Sequence, residues 1–464
     1  MQYNFDDTIA AVATPAGRSG IGIVRVSGRD ALKIVENVVK LSRGKSFLSV
    51  ETHTIHHGWV RNAAAVIDEV LVNVMCGPHS YTGEDTAEIS GHGNSVTLRR
   101  ILELCLGAGA RMAGPGEFTY RAFVNGRLDL AKAEAVADLI AGKTERAARA
   151  AANQLQGTLS NMIGAWRAKL LDLAARVEAA LDYAEEDISF ATRDEIRAAL
   201  EQLAGELAGL RATAARGRIL REGARVAIVG APNTGKSSLL NALLLRERSI
   251  VTDIAGTTRD LIEESLDIGG IPVVIIDTAG LRRHTDDPVE KIGLERTAGC
   301  MAQADIILWI LDSSRPFCEH ERHIGELLGN CAADKKILLI LNKCDLPPAI
   351  TRGDAETLFP GAKDVISISA LNRIGLETFE RALALALDAE GPDEPVLVNA
   401  RQGRALEQAG QAASNALEAL DADESEELIA FHLREALNAL GNITGETTPE
   451  EILSQIFEKF CVGK

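Results

Sequence analysis

The sequence predicts a multidomain protein in which an N-terminal α+β domain precedes a helical domain, with an α/β domain of the P-loop type inserted into the helical one. Three observations predict this architecture. The length of 464 residues suggests about three domains. An apolar run, a glycine-rich loop and a helix-forming run follow one another in residues 225–243. Helical periodicity precedes and follows that region, so the helices on its two sides are expected to pack on one another.

The first domain, residues 1–118, mixes short strand-like runs with helical segments. The runs are IGIVRVSG, HTIHHGWV and DEVLVNVMC, and helices are expected near residues 30–40 and 95–106. This mixture is typical of a small α+β domain.

Two features of the first domain resemble binding sites but are better explained otherwise. GRSGIG, at residues 17–22, lacks the lysine and the following helix of a phosphate-binding loop, so we interpret it as a turn. His53, His56 and His57 lack evident Cys or carboxylate neighbours, which favours structural or surface histidines over a metal site.

The helical domain is predicted to comprise residues 119–217 and 389–464. Thr192 and Glu195 form a capping box at the start of one helix. The apolar faces of two helices are Trp166, Leu170, Leu173, Val177 and Leu181, and then Ile196, Leu200, Leu203 and Leu207.

The last helix has its own start signal. Thr448, Pro449 and Glu451 suit an N-cap, an N1 proline and an N3 glutamate. The apolar residues expected on this helix are Ile452, Ile456 and Phe460.

The basic segment RGRILREG, residues 216–223, joins the helical domain to the inserted domain, which is predicted to comprise residues 218–388. Its arginines fit either a solvated hinge or a nucleic-acid contact, and we favour the hinge.

The inserted domain begins with a phosphate-binding pattern, G-x-x-x-x-G-K-S, from Gly230 to Ser237. Its glycines let backbone N–H groups approach phosphates closely at the positive end of a helix. Lys236 is expected to reach the β- and γ-phosphates, and Ser237 to ligate Mg²⁺.

Three later apolar runs each end in a polar loop. DTAG, residues 277–280, places Asp277 near the magnesium shell. NKCD supplies Asn342, Lys343 and Asp345, whose carboxylate can accept two hydrogen bonds from guanine. VISISA, residues 365–370, offers a small loop that could support the base. Because a doubly wound sheet binds ligands at the carboxyl ends of its strands, these loops predict a GTP site.

Composition limits the location and the partners of the chain. The seven cysteines, without a C-x-x-C pair or a recognisable leader, indicate a cytoplasmic protein. No apolar run is long enough to span a membrane. The formal net charge of −17 argues against binding nucleic acid through global electrostatics, so any RNA contact must use a local patch.

Longer motifs add a family resemblance that covers essentially the whole chain. They are DTIAAVATPAGRSGIGIVRVSG, GPHSYTGEDTAEISGHG, PGEFTYRAFVNGRLDLAKAEA, IVTDIAGTTRD and the terminal FCVGK. With them the chain resembles the MnmE family, also called TrmE, of tRNA-modification GTPases.

The resemblance implies a homodimer with an N-terminal dimerisation domain that binds a tetrahydrofolate derivative, either the 5-formyl or the 5,10-methylene form. It also implies a Ras-like G domain inserted in the helical domain. The partner would be MnmG, which uses FAD and NADH. Together the two would install a 5-carboxymethylaminomethyl or aminomethyl-type group on C5 of the wobble uridine of tRNA, using a folate one-carbon unit.

For the G domain, the resemblance assigns Glu290 to catalysis, since Leu281 stands where Ras-type GTPases carry a glutamine that orients water. Mg²⁺ would be held by Ser237 and Thr258, and K⁺ by Asn233, Thr252, Ile254 and Thr257. The residues expected to contact GTP are Asn233, Thr234, Gly235, Lys236, Ser237, Ser238, Thr252, Asp253, Ile254, Ala255, Gly256, Thr257, Thr258, Asp277, Thr278, Ala279, Gly280, Asn342, Lys343, Asp345, Ser369 and Ala370.

For the folate site, the resemblance assigns Arg25, Glu88, Arg127 and Lys464. A carboxylate suits the adjacent N–H donors of a pterin, and a cation suits the glutamate tail. Arg127 stands where many relatives carry lysine, which keeps the charge and changes its geometry. Cys461 is a candidate functional residue near a carboxyl end expected to be flexible, although a bystander thiol is the general expectation.

The alternative function is a regulatory or ribosome-assembly GTPase without small-molecule chemistry. Such proteins often carry a basic RNA-binding module, which would need a Lys/Arg-rich face or a GxxG clamp after Asp388. The sequence has neither there.

Overall fold

A computed structural model describes residues 6–42, 44, 46–62, 65–182, 192–247, 265–276, 299–331, 335–389 and 396–464. Within these ranges the chain forms two β-sheets and a set of packed helices. No helix in this described part combines the length and the apolar character needed to span a bilayer.

The first sheet has seven strands in the order β3-β4-β5-β6-β2-β1-β7. Its neighbours are antiparallel except for the parallel pair β1 and β7. The strands are β1 (Ile9–Val12), β2 (Ser19–Ser27), β3 (Val39–Leu41), β4 (Thr54–Arg61), β5 (Val66–Met75), β6 (Thr86–Gly93) and β7 (Arg111–Met112). Helices α1 (Ala31–Val38) and α2 (Ser95–Gly107) share one buried apolar core with this sheet.

The prediction of a turn over residues 17–22 was wrong for its last four residues. Strand β2 begins at Ser19, and Ser19 and Gly22 pair with Gly93 and Gly91 of β6. A Cβ at Gly22 would lie 2.4 Å from Leu98, so the small residue lets α2 approach the strand. Glycine here serves strand packing rather than a turn.

The histidines of this sheet contact neighbouring side chains. His57 Nε2 lies 2.7 Å from Glu69 Oε1, and His56 Nε2 lies 2.7 Å from Thr54 Oγ1.

The helices that follow are α3 (Glu117–Val124), α4 (Leu130–Ala141), α5 (Glu145–Leu155), α6 (Thr158–Asp182), α7 (Arg193–Ala212) and α8 (Ala214–Glu222). The capping box of Thr192 and Glu195 is confirmed at the start of α7. The apolar faces of α6 and α7 are confirmed as buried for every predicted residue except Leu181, whose side chain lies outside the described residues.

The segment of residues 216–223 is not a solvated hinge, because most of it is helix α8, packed against other parts of the chain. Arg218 Nη2 donates to Asp305 Oδ1 at 2.6 Å, and Arg221 Nε donates to Asp138 Oδ2 at 2.5 Å. Arg221 Nη2 also donates to the Leu397 carbonyl at 2.8 Å. Burial raises the pKa of Asp138, although the charge and hydrogen bond of Arg221 oppose this shift. These arginines therefore join neighbouring segments, which is neither role considered from the sequence.

The second sheet has six strands in the order β13-β12-β11-β8-β10-β9, parallel except for the antiparallel edge pair β9 and β10. The strands are β8 (Ala224–Val229), β9 (Ser265–Ile268), β10 (Ile271–Ile276), β11 (Ile306–Asp312), β12 (Lys336–Asn342) and β13 (Asp364–Ser367). Its helices are α9 (Lys236–Glu247), α10 (Glu319–Cys331), α11 (Arg352–Leu358) and α12 (Leu376–Ala386). Separate apolar cores cover its two faces, as expected of a doubly wound sheet.

The chain then forms α13 (Ala400–Asp421), α14 (Glu426–Thr444) and α15 (Glu450–Phe457). One apolar core joins α6 and α7, which precede the six-stranded sheet in sequence, to α13 and α14, which follow it. Both chain segments therefore contribute to one helical body.

The predicted cap of the last helix was wrong. Pro449 occupies the N-cap of α15, and the Thr448 hydroxyl donates to the Asn442 carbonyl at 3.0 Å. The Asn442 carbonyl, in the last turn of α14, therefore competes with the cap of α15 for the Thr448 hydroxyl. The buried face is Leu453, Phe457 and Phe460, whereas Ile452 is exposed.

Candidate functional site

The glycine-rich loop lies between β8 and α9, at the carboxyl edge of the parallel strands. Thr234 is fully buried, and its hydroxyl donates to the Ala231 carbonyl at 2.9 Å. A Cβ at Gly230 would lie 2.4 Å from the Ile310 carbonyl oxygen of β11. The loop is therefore drawn tightly against the sheet, and its backbone leads directly into the N-terminus of α9, which can receive an anion.

Lys236 begins α9 and bends back over the loop. Its Nζ donates to the carbonyls of Gly230 and Ala231, at 2.8 Å each. These carbonyls hold the ammonium group above the loop, where a phosphate oxygen can compete for it. Ser237 follows in the first turn of α9 and offers a hydroxyl oxygen, a ligand type that Mg²⁺ accepts.

Asn342, at the end of β12, connects the glycine-rich loop to the loop after β13. Its Nδ2 donates to the Thr234 carbonyl at 2.8 Å, and its Oδ1 accepts from the N–H of Ala370 at 3.0 Å. The side chain is buried, with 3 % exposure of the residue. Both ends of the amide are thus used to hold loops together, whereas the sequence suggested only a contact with nucleotide.

These loops enclose an open cavity of about 430 Å³. Its lining is Asn233, Gly235, Lys236, Ser237, Ser238, Asn342, Lys343, Asp345, Leu346, Ser369 and Leu371. The structure therefore brings together the predicted phosphate loop, the predicted guanine-binding residues and the small loop after β13.

Leu346 and Leu371 also line the cavity, and neither was expected there from the sequence. Leu371 is 81 % exposed, more than any other large apolar side chain in the described part of the chain. Each leucine directly follows a predicted motif residue, Asp345 or Ala370, and this adjacency is the signal that could have found it. Two apolar side chains at the cavity rim suit the faces of a planar base.

A further residue missed in the sequence is Asp312, at the end of β11. Its Oδ2 lies 2.5 Å from Lys343 Nζ, and its Oδ1 accepts from the Ser314 hydroxyl at 2.6 Å. Burial opposes ionisation of Asp312, but the hydrogen bonds from Lys343 and Ser314 outweigh it and lower its pKa. The signal in the sequence is a carboxylate that ends an apolar run on a neighbouring parallel strand.

Other predicted residues of this site lie outside the described residues. They are Glu290, the loop residues Thr252, Asp253, Ile254, Ala255, Gly256, Thr257 and Thr258, and the residues Asp277, Thr278, Ala279 and Gly280. Asn233, the remaining predicted potassium ligand, has a φ of 62° and lines the cavity.

The first sheet holds a second cluster, formed by predicted folate residues. Arg25 and Glu88 are directly opposite on β2 and β6, and Glu88 Oε1 accepts from Arg25 Nε at 2.9 Å. The Arg25 guanidinium lies over the rings of Tyr81 and Phe118, at 5.6 and 5.5 Å from their centroids. Arg25 Nη1 also donates to the Gly463 carbonyl at 3.2 Å. The carboxylate, the two rings and the backbone carbonyl together fix the position of the Arg25 guanidinium.

Lys464 interacts electrostatically with Arg25 and Glu88, whereas Arg127 bonds to the neighbouring loop. Burial and the positive charge of Arg25 lower the pKa of Lys464, while Glu88 opposes the shift. Arg127 Nε instead donates to the Ser80 carbonyl at 3.0 Å. The structure therefore brings three of the predicted folate residues together, with Arg127 on the neighbouring loop.

The carboxyl-terminal segment is docked, which corrects the expectation of a flexible end. The N–H of Gly116 donates to the Cys461 carbonyl at 3.3 Å, and that of Phe118 donates to a backbone oxygen of Lys464 at 3.2 Å. A Cβ at Gly463, whose φ is +98°, would lie 2.5 Å from the Val12 carbonyl oxygen. These contacts fix Lys464 beside β2, while Cys461 stays exposed.

Comparison with known proteins gives two family matches. Residues 8–127 match the model described as GTP-binding protein TrmE N-terminus, and residues 130–461 match the one described as MnmE helical domain. Among curated relatives, the tRNA modification GTPase MnmE of Symbiobacterium thermophilum is 46% identical over 460 residues, covering 99% of this chain and 100% of the relative. The MnmE of Thermoanaerobacter pseudethanolicus is 44% identical over 465 residues, covering 99% of each chain.

Proposed function

Because the chain belongs to the MnmE family of tRNA modification GTPases, we propose that its GTP hydrolysis serves to modify C5 of the tRNA wobble uridine. The modification would be of the 5-carboxymethylaminomethyl or aminomethyl type, installed with MnmG and a folate-derived one-carbon unit. One observation supports the assignment of the GTPase site: three loops line the same cavity, and the buried amide of Asn342 holds two of them together through hydrogen bonds.

The cavity has a phosphate end and a base end. At the first, the loop from Asn233 to Ser238 and the N-terminus of α9 offer N–H groups and the Lys236 ammonium. At the second, Asp345 offers a carboxylate that matches the adjacent N1–H and amino donors of guanine, while Leu346 and Leu371 offer apolar contact. Adenine presents an acceptor at N1, so this carboxylate favours GTP over ATP.

We propose the domain boundaries given by the sequence: residues 1–118, then 119–217 with 389–464, and an inserted G domain of residues 218–388. The apolar core shared by α6, α7, α13 and α14 supports the insertion, because those helices lie on both sides of the six-stranded sheet in sequence. The bonds from Arg221 to Asp138 and Leu397 connect both junctions of the insertion to the helical body.

The proposed catalytic group is Glu290, which would orient and polarise the attacking water. Ser237 and Thr258 would hold Mg²⁺, and Asn233, Thr252, Ile254 and Thr257 would hold K⁺. The oxygen-rich donor set suits both ions, which neutralise charge on the phosphates when bound. The described part of this set, Ser237 and Asn233, lines the phosphate end of the cavity.

Replacing potassium with sodium is expected to reduce GTP turnover at least about tenfold, because the smaller ion fits the proposed oxygen cage poorly and charge on the leaving phosphates is then less well stabilised. Initial rates of phosphate release at equal ionic strength measure this effect. Rubidium, which is close to potassium in size, is the control and should retain most activity. Equal turnover in sodium and potassium would remove the potassium assignment.

For the first domain, we propose dimerisation and binding of a tetrahydrofolate derivative by Arg25, Glu88, Arg127 and Lys464. The donor set suits such a ligand: Glu88 can accept from pterin N–H groups, and Arg25 with Lys464 supplies positive charge for a glutamate tail. The ion pair between Arg25 and Glu88 and the docking of Lys464 beside it support this assignment.

Deleting the gene for this chain is expected to leave wobble uridines without the C5 substituent, because the modifying complex would lack its GTPase. Mass analysis of nucleosides from purified tRNA measures the loss, and re-expression of the wild-type chain should restore it. A re-expressed Gly353→Ala variant, altered at an exposed position of helix α11, is a matched control that should restore it as well. Unchanged nucleosides after deletion would favour the alternative of a regulatory or ribosome-assembly GTPase.

A further inference from the structure

We propose that Asp312 is a positioning residue for guanine-nucleotide binding: it orients Lys343 along the cavity wall, and with Ser313 it braces the loop of residues 342–350. This inference rests on the proposed GTP site and deepens it. The brace comes from β11, a strand that contributes no residue to the cavity lining.

The first part of the brace is the contact between Asp312 and Lys343. The Asp312 residue is only 4 % exposed, so its charge is shielded from water. Its Oδ2 lies 2.5 Å from Lys343 Nζ and 3.6 Å from Arg315 Nε. Its Oδ1 accepts from the Ser314 N–H at 3.1 Å and from the Ser314 hydroxyl at 2.6 Å. Because Ser314 fixes one carboxylate oxygen, the other points at Lys343 in a defined direction.

The second part of the brace is Ser313, which holds both ends of the loop. Its N–H and its hydroxyl both donate to the Asn342 carbonyl, at 2.9 and 2.8 Å. Its own carbonyl accepts from the N–H groups of Ala349 and Ile350, at 2.7 and 3.1 Å. The loop that carries Lys343 and Asp345 is thus closed onto the end of β11.

The backbone of Lys343 explains why a brace is needed. Its φ of 66° is left-handed, a conformation that a residue with a Cβ adopts only where surrounding contacts impose it. The Asp312 carboxylate contacts the side chain of this residue. The Ser313 hydrogen bonds hold Asn342 before it and Ala349 and Ile350 after it. Without them, Lys343 could relax toward an ordinary φ and turn Asp345 away from the base.

The test measures dissociation of N-methylanthraniloyl-GDP from the full-length chain by stopped-flow fluorescence. Asp312→Asn keeps the size of the side chain and removes its charge, so dissociation should accelerate about tenfold or more. Turnover at saturating GTP should stay within about twofold of wild type, while KM rises, since binding rather than hydrolysis is affected. Asp364→Asn is the matched control, because Asp364 begins β13 of the same sheet, pairs with Arg352 of helix α11 and does not line the cavity.

A double-mutant cycle separates positioning from general stabilisation. In a Lys343→Met background, Asp312→Asn should add less than about twofold to the dissociation rate, because the group it positions is gone. If Asp312→Asn does not fold, Ser314→Ala serves in its place. It keeps the charge of Asp312, removes the shorter of the two hydrogen bonds to Asp312 Oδ1 and should accelerate dissociation about threefold in an otherwise wild-type chain.

Two results would overturn the brace while leaving the GTP site standing. One is a wild-type dissociation rate in both Asp312→Asn and Ser314→Ala. The other is an acceleration by either substitution that persists undiminished in the Lys343→Met background. Failure of the wild-type chain to bind the labelled GDP at all would overturn the nucleotide site and the brace together.

Discussion

Replacing Gly235 with alanine is expected to weaken guanine-nucleotide binding by roughly 100-fold or more. A Cβ on residue 235 would lie 2.0 Å from Nδ2 of Asn342, well inside van der Waals contact, and the φ of +96° is left-handed. Asn342 would have to move, which breaks its buried hydrogen bonds to the Thr234 carbonyl and the Ala370 N–H. Each buried polar group left without a partner costs about 1–3 kcal/mol, so the loops should separate rather than tolerate the methyl group.

Calorimetric titration with GDP measures this effect directly. Gly353→Ala is the matched control, because residue 353 lies in α11 and the nearest atom to its Cβ would be 3.9 Å away. Thermal unfolding of the full-length chain in both variants checks that each still folds. A Gly235→Ala variant with wild-type affinity would mean that the Asn342 connection does not control the shape of the cavity.

The nucleotide site could be predicted from the sequence because its elements are local. The apolar run that becomes β8, the glycine-rich loop and the start of α9 at Lys236 are contiguous. The parallel order of the sheet then brings later loops to the same edge, as the pattern of apolar runs predicts. Spacing along the chain therefore fixed both the location of the cavity and most of its lining.

Contacts between distant segments could not be predicted in this way. Asn342 binds the Thr234 carbonyl, and Asp312 binds Lys343, only because β8, β11 and β12 lie side by side. The same limit applies to α8, where a basic pattern suggested a solvated hinge. Its arginines instead meet Asp138 and Asp305, carboxylates more than 80 positions away in sequence.

The start of the last helix shows how a local rule can fail. Thr448 has the residue type and spacing of an N-cap, yet its hydroxyl donates to the Asn442 carbonyl. The end of α14 leaves carbonyls without intrahelical partners, and such acceptors compete with the cap. The docked tail of residues 461–464 is a similar case, since its backbone pairs with Pro115, Gly116 and Phe118, which are far away in sequence.

Asp345→Asn is expected to change the preferred nucleotide from GTP to XTP. In the proposed site the carboxylate would accept hydrogen bonds from N1–H and from the C2 amino group of guanine, whereas an asparagine amide offers one acceptor and one donor. Xanthine carries N1–H and a C2 carbonyl, which match that amide. Loss of two charge-assisted hydrogen bonds should weaken GTP binding by roughly 100-fold or more, while XTP binding improves. Competition of GDP and XDP against N-methylanthraniloyl-GDP measures the change.

The controls for this switch separate base recognition from loss of charge. Asp364→Asn makes the same chemical change at a half-buried site on β13, outside the cavity lining, and should keep the preference for GTP. Inosine nucleotides, which lack the C2 amino group, should bind the wild-type chain more weakly than guanine nucleotides, because one of the two donors is missing. Equal binding of inosine and guanine nucleotides, together with an Asp345→Asn variant that still prefers GTP, would place the base away from Asp345. Leu346 and Leu371 would then be left as apolar walls that accept any purine.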